Sequence, residues 1–169
     1  MYEEFLKLGK ITEHNFSIDL INQLGGEIRQ TDKQTDIHKH IDLIWTINSK
    51  EYGIDVKGLK RSNRNGKIDS SIHWVELVNV IGNKGWLFGD ANLFAFETDD
   101  KWLLIGKLKL IEFIVNKIFI INKIHKISNI NSNDPYYLYQ RHGRRDIITK
   151  VLTRDLIELS NKIINKNEQ

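Results

Sequence analysis

Cysteine is absent from the chain. Disulfides, thiolate chemistry and cysteine-based zinc sites are therefore excluded. Proline occurs once, and neither a repeat nor a long linker divides the sequence. A membrane-length apolar run is also missing. The richest segment, LKLIEFIVNKIFIINKI, is interrupted by Lys109, Glu112, Asn116 and Lys117, short of the roughly 18 apolar residues that a span requires. The opening MYEEFLKLGK carries acids where a signal peptide needs positive charge. The expectation is a cytoplasmic protein with no membrane partner.

What is present fits an ordinary globular chain. Apolar residues make up 40% of 169 and charged residues 28%, enough to build a core within a single domain spanning residues 1–169. The net charge of +3 permits a polyanionic partner without demanding one.

The pattern of apolar residues divides the chain into elements. TEHNFSIDLINQLGG reads as a helix, with Glu13, Phe16, Leu20 and Leu24 near one face and Gly25-Gly26 ending it. EIRQT is a short strand. HIDLIWTI (residues 40–47) and YGIDVKGL form a hairpin turning at NSKEY. SSIHWVELVNVIG reads as a helix capped by Ser70 or Ser71 and stopped by Gly82. NLFAFET and KWLLIG make a second hairpin across Asp99-Asp100, and KLKLIEFIVNKI a further helix. YYLYQR and RDIITKV pair across His142-Gly143, and TRDLIELSNKII closes the chain as a helix capped by Thr153. The order predicts a mixed sheet flanked by helices.

One strand carries an anomaly. Asp55 and Lys57 flank Val56 and so point to the same face. Asp42 lies on the other arm of the hairpin, and a turn near Ser49-Lys50 brings it beside Asp55 at the open end. Ile44 and Trp45 make the first arm apolar on both faces, the mark of a buried strand, and buried charge without a task is costly. Two adjacent carboxylates raise each other's pKa unless a cation intervenes. Mg²⁺, which takes oxygen ligands and keeps waters, is the natural remedy. Lys57 would set an ammonium beside a phosphate oxygen, an array suited to phosphodiester hydrolysis. The plain alternative is an exposed hairpin whose Asp55 and Lys57 merely pair across a pleat.

The residues ID at 41–42, followed across the hairpin by DVK at 55–57, resemble the PD-(D/E)XK nucleases, which include restriction endonucleases, Holliday-junction resolvases and many phage and repair nucleases. The match covers residues 10–80, with Ile41 standing where the name-giving proline would be. The resemblance implies an α/β fold: a mixed β-sheet flanked by helices, with a restriction-endonuclease-like core and an extra C-terminal hairpin and helix. It implies Asp42, Asp55 and the Val56 carbonyl as Mg²⁺ ligands, with Mn²⁺ as a substitute. Lys57 would assist the attacking water, and Glu13, on the helix before the hairpin, would complete the set. The implied activity is hydrolysis of DNA to 5′-phosphate and 3′-hydroxyl ends, and a homodimer would supply the two sites that cutting two strands takes. A non-catalytic nucleic-acid-binding or structural protein on the same scaffold, and cleavage of RNA, stay open.

Basic residues cluster in two further places. KGLKRSNRNGK adds Lys60, Arg61, Arg64 and Lys67 after the motif strand, and RHGRRD adds Arg144 and Arg145. Both are candidate phosphate contacts, against the reading of solvated loops. Glu76, on the expected helix after the motif strand, is either an auxiliary polar residue or a structural one. His38 and His40 alternate on the approach to the strand, His40 on the face of Asp42; with no cysteine and no third histidine clustered with them they do not make a zinc site. No strand is expected to lead into GNKGWLFGD and no G-K-[ST] follows it, so it is not a phosphate loop and its glycines shape a crossing. Trp74, Trp86 and Trp102 are expected in the core, with base stacking the lesser alternative.

Overall fold

The computed structural model describes residues 2–59, 68–118, 124–127 and 134–167, without the side chains of 2–6 and 125–127. It shows an α/β protein with a mixed sheet flanked by helices. The described elements are α1 (Tyr2–Leu24), β1 (Glu27–Gln30), α2 (Lys33–Lys39), β2 (Leu43–Ile47), β3 (Lys50–Lys57), β4 (Ile72–Val78), β5 (Leu93–Glu97), β6 (Lys101–Gly106), α3 (Lys107–Ile118), β7 (Ile124–Ile127), β8 (Leu138–Arg141), β9 (Ile147–Leu152), α4 (Thr153–Leu159) and β10 (Lys162–Asn165). No helix among the described residues is long and apolar enough to cross a membrane.

The chain forms two compact units. The first contains Met1–Gly58, Asp90–Gly106 and Ser160–Gln169; the second contains Leu59–Gly89 and Lys107–Leu159. In the first, six strands run in the order β1-β2-β3-β5-β6-β10. All neighbours are antiparallel except β3 and β5, which are parallel, with Asp55 opposite Phe94 and Lys57 opposite Phe96. Helix α1 covers one face. Its Phe16 and Leu20 pack on Leu43, Trp45, Ile54, Ala95, Trp102, Leu104 and Ile164, and Phe16 meets the Trp102 ring edge-on at 5.2 Å. Each such side chain removed from water contributes about 1.5–3 kcal/mol. Phe94, Phe96, Leu103 and Ile105, which register places on the opposite face, are also fully buried. The centre of this sheet is therefore dry on both sides.

In the second unit four strands run β4-β9-β8-β7. The segment SSIHWVELVNVIG is not the helix its sequence suggests but strand β4. Burial alternates with period two, His73 and Val75 inward, and Val75 pairs with Thr149 on β9. Asp69 accepts bonds from the Ser71 N–H and hydroxyl, which sets up a turn rather than a helix cap. The β-branched residues fit the pleat, and the partner strand overrides the helical spacing. A glycine is required just beyond: any Cβ on Gly85 would stand 2.2 Å from the Glu76 carbonyl oxygen.

Two further expectations change. Helix α2, started by Asp32 accepting from the Gln34 and Thr35 N–H groups, occupies part of the approach to β2, so β2 begins at Leu43 rather than at residue 40. The final segment does not stay helical. Helix α4 ends at Leu159, and Ile163 and Ile164 return as an edge strand opposite Leu103 and Trp102. The expected C-terminal helix is therefore present but shorter than its segment, and a strand follows it. Thr153 is not a simple cap, because its hydroxyl donates to the Ser70 carbonyl.

The β2–β3 hairpin turns on Asn48 and Ser49, with Ile47 opposite Lys50. Both turn residues have positive φ, 49° and 61°, the two-residue turn that matches strand twist. Serine is a poor occupant of the left-handed region. Ser49→Gly should raise stability by about 0.5–1 kcal/mol, read as a higher urea midpoint at unchanged slope; an unchanged or lower midpoint would show that the turn is not strained at this residue.

Candidate active site

The hairpin opens at Asp42. One step beyond the Leu43–Ile54 pair, the Asp42 N–H donates to the Ile54 carbonyl at 2.9 Å, and the Asp42 carbonyl accepts from the Thr31 N–H at 3.1 Å. The residue is thus pinned between β1 and β3. Its carboxylate turns across the ladder and accepts the Val56 N–H at 2.7 Å. Asp55 and Lys57 follow on β3, and the Lys57 Nζ lies 2.6 Å from Asp55 Oδ1. Asp55 is almost wholly buried and Asp42 is buried beside it. The pair is therefore not an exposed ornament of a solvated hairpin.

Burial, reinforced by the charge of Asp55, pushes the Asp42 carboxyl up to about 7, against the opposing pull of the Val56 N–H and of Lys57. Glu13 projects from the buried face of α1 and bonds Lys10 Nζ at 2.7 Å. Burial raises its pKa and Lys10 opposes the shift, while the charge of Asp42 adds to it. For Lys10, burial works downward, but the bond and charge of Glu13 prevail and hold the amine above its ordinary value. The end of β3 comes close to α1: a Cβ on Gly58 would meet Thr12 at 3.1 Å. Asp42 thus interacts through its charge with Asp55 and Lys57 on β3 and with Glu13 on α1.

Two acids join this neighbourhood without having been singled out in the sequence. Asp36 on α2 raises the pKa of both Glu13 and Asp42 through its charge. Glu97, the last residue of β5, brings Oε2 to 3.2 Å from the Cβ position of Gly58, while its Oε1 takes the Lys166 ammonium at 2.8 Å. Glu97 gave no signal in the sequence, because its strand meets the motif strand only through the parallel pairing in the fold. Asp36 gave none, because it sits on a helix with no buried residue.

Other expected residues fall elsewhere. Lys60, Arg61, Arg64 and Lys67 lie outside the described residues. Arg144 and Arg145 belong to the second unit and are exposed, Arg145 lying against Gly82. Glu76 is on strand β4 of the second unit, not on a helix after the motif strand. His38 belongs to α2, and His40 ends that helix in a left-handed conformation with φ 54°. Neither continues β2, so the shared face of His40 and Asp42 is not present. Trp86 and Trp102 are buried and Trp74 is half-buried.

The donor set suits a hard cation. Two carboxylates and a backbone carbonyl are oxygen ligands, and the upward shift of Asp42 is a charge conflict that a cation would relieve. Among the described residues no three acidic or imidazole side chains form a cluster tight enough to hold a metal. Mg²⁺ does not need one, because it is commonly held by one or two carboxylates together with waters and substrate phosphates. No family model, curated protein or solved structure matches the chain.

The raised Asp42 has a consequence for stability without metal. Between the ordinary aspartate value and about 7 the folded state binds more protons than the unfolded state, so stability falls as pH rises through that window. A shift of this size bounds the effect at about 4 kcal/mol. In EDTA the protein should melt higher at pH 5 than at pH 8, and Asp42→Asn should remove most of that difference. Equal pH dependence in the two proteins would show that Asp42 is an ordinary carboxylate.

Proposed function

We propose that the chain is a Mg²⁺-dependent DNA endonuclease whose first unit is a restriction-endonuclease-like core. The observation that carries this reading is the pair of buried carboxylates Asp42 and Asp55 where the hairpin opens, with Lys57 on Asp55 and Glu13 within reach of the Asp42 charge. Buried carboxylates that conflict with one another are costly to maintain, and a cation-assisted phosphodiester reaction gives them a task.

In this reading Asp42, Asp55 and the Val56 carbonyl would hold the ion, with Glu13 as the further acid of the set. When bound, the ion supplies Lewis-acid stabilisation and a more acidic water at the scissile phosphate. The protein's own groups do the rest. The Val56 N–H and the two backbone bonds of Asp42 fix the carboxylate before substrate arrives, so little reorganisation is needed. Lys57 starts paired with Asp55. It places a positive charge beside the attacking water and against the charge that develops on the phosphoryl oxygens. Lys60, Arg61, Arg64, Lys67, Arg144 and Arg145 would contact the DNA backbone, which makes binding salt-dependent. Cutting both strands of a duplex takes two such sites, which a homodimer would provide.

The test is incubation of the full chain with supercoiled plasmid, a branched junction and single strands, in Mg²⁺, Mn²⁺ or EDTA. Cutting should require the metal. Lys57→Ala should keep DNA binding and lose roughly 10²- to 10³-fold in rate, the scale of removing one charge-stabilising group. Equal cutting by wild type and variant would place the activity elsewhere. Salt-sensitive binding with no cutting by either protein would make the chain a non-catalytic nucleic-acid-binding protein.

A further inference from the structure

The two units differ sharply in charge. The second carries fifteen lysines and arginines against seven acids, a net +8, while the first carries ten against fifteen, a net −5. The mild +3 of the whole chain conceals this segregation. This division of charge assigns polyanion binding to the second unit.

The sheet of that unit has two unlike faces. His73, Val75, Thr149 and Val151 are buried on one. The other carries Trp74 and Lys150, directly opposite each other, and Tyr139, opposite Ile148. Trp74 and Lys150 are only half-buried. The Lys150 Nζ stands 5.6 Å from the Trp74 ring centre. The Trp74 ring meets Tyr139 edge-on at 6.2 Å, and Tyr139 stacks against half-buried Tyr137 at 6.5 Å with 30° between the planes. The Tyr139 hydroxyl is anchored on the Asp134 carbonyl at 2.8 Å, so the central ring is held in place. Tyr139 itself is buried, so the surface on offer is that of half-buried Trp74 and Tyr137, with the Lys150 ammonium near the Trp74 ring and half-buried Glu76 on the same face.

We infer that this face is a stacking platform for single-stranded nucleic acid, with Trp74 and Tyr137 receiving unpaired bases and Lys150 meeting the backbone. Rings on a sheet bind base faces rather than base edges, and a duplex hides its base faces within the stack. Stacking also explains why a tryptophan remains partly exposed in a unit that buries Val75, Leu87 and Val151 completely. As a binding site, the platform uses none of the carboxylates of the first unit. As a statement about substrate, that the strand being cut has an unpaired stretch, it rests on the nuclease reading.

The test is fluorescence anisotropy of the full chain in EDTA, with labelled oligo-dT, oligo-U and a duplex of equal length. Trp74→Leu should weaken binding of the single strand about tenfold and leave duplex binding within about twofold, while Trp74→Phe should restore most of the loss. Lys150→Gln should weaken the single strand and reduce the salt slope by about one. Tighter binding of either oligo-dT or oligo-U supports the platform and assigns the sugar. Single-strand affinity unchanged in both Trp74→Leu and Lys150→Gln, with normal circular dichroism, would overturn it, as would an equal loss for duplex. If Trp74→Leu fails to fold, Lys150→Gln decides alone. Metal-dependent cutting by the wild type separates the two readings: retained cutting with unaffected single-strand binding in the variants sinks the platform only, whereas absent cutting with weakened binding sinks the nuclease only.

Discussion

Asp42 and Asp55 are held side by side away from water, and that enforced proximity constrains the whole first unit. Neither carboxylate keeps its charge cheaply there. Lys57 answers Asp55 at 2.6 Å, and the Val56 N–H answers Asp42 at 2.7 Å. What is left over appears as the upward shift of Asp42 to about 7. The arrangement depends on the register of β2 with β3, because a slip of one residue would send the two acids to opposite faces. The short turn at Asn48-Ser49 fixes that register, and burial of Leu43, Trp45 and Ile54 beneath α1 resists any slip.

This core was legible because its signals are local. The alternation of Ile54, Asp55, Val56 and Lys57 reads directly as a strand with two charges on one side. Phe16 and Leu20 lie on the face that carries Glu13, so the helix pointed an acid inward before any contact was known. The hairpins β5–β6 and β8–β9 were visible for the same reason. Other elements owe their form to partners distant in sequence. Strand β4 has apolar spacing compatible with a helix, and only pairing with β9 makes it a strand. Strand β10 continues a helical pattern until Ile164 finds a buried place beside Trp102. Helix α2 buries nothing and so leaves no periodic trace. Asp36 and Glu97 come near the site through those non-local arrangements.

The division of charge between the units gives the account its second half. Nucleic acid is attracted by lysine and arginine, but a cation-binding site needs carboxylates, and close mixing would pair the two sets and blunt both. In this chain the acids predominate in the unit with the hairpin site and the bases in the unit with the aromatic face. Among the described residues, the ammonium groups paired with acids of this neighbourhood are Lys57 on Asp55, Lys10 on Glu13 and Lys166 on Glu97. Each neutralises one carboxylate, whereas the Asp42 carboxylate is held by the Val56 N–H and feels Lys57 through its charge. Asp42 is therefore the acid on which an added cation would act most strongly.

The most direct measurement is anomalous diffraction from crystals grown with Mn²⁺. A peak about 2.1 Å from carboxylate oxygens of both Asp42 and Asp55, lost in Asp55→Asn, is the predicted result. Mn²⁺ found only at other surface acids, or absent at saturating concentration, would contradict the claim that these two carboxylates are held together for a metal.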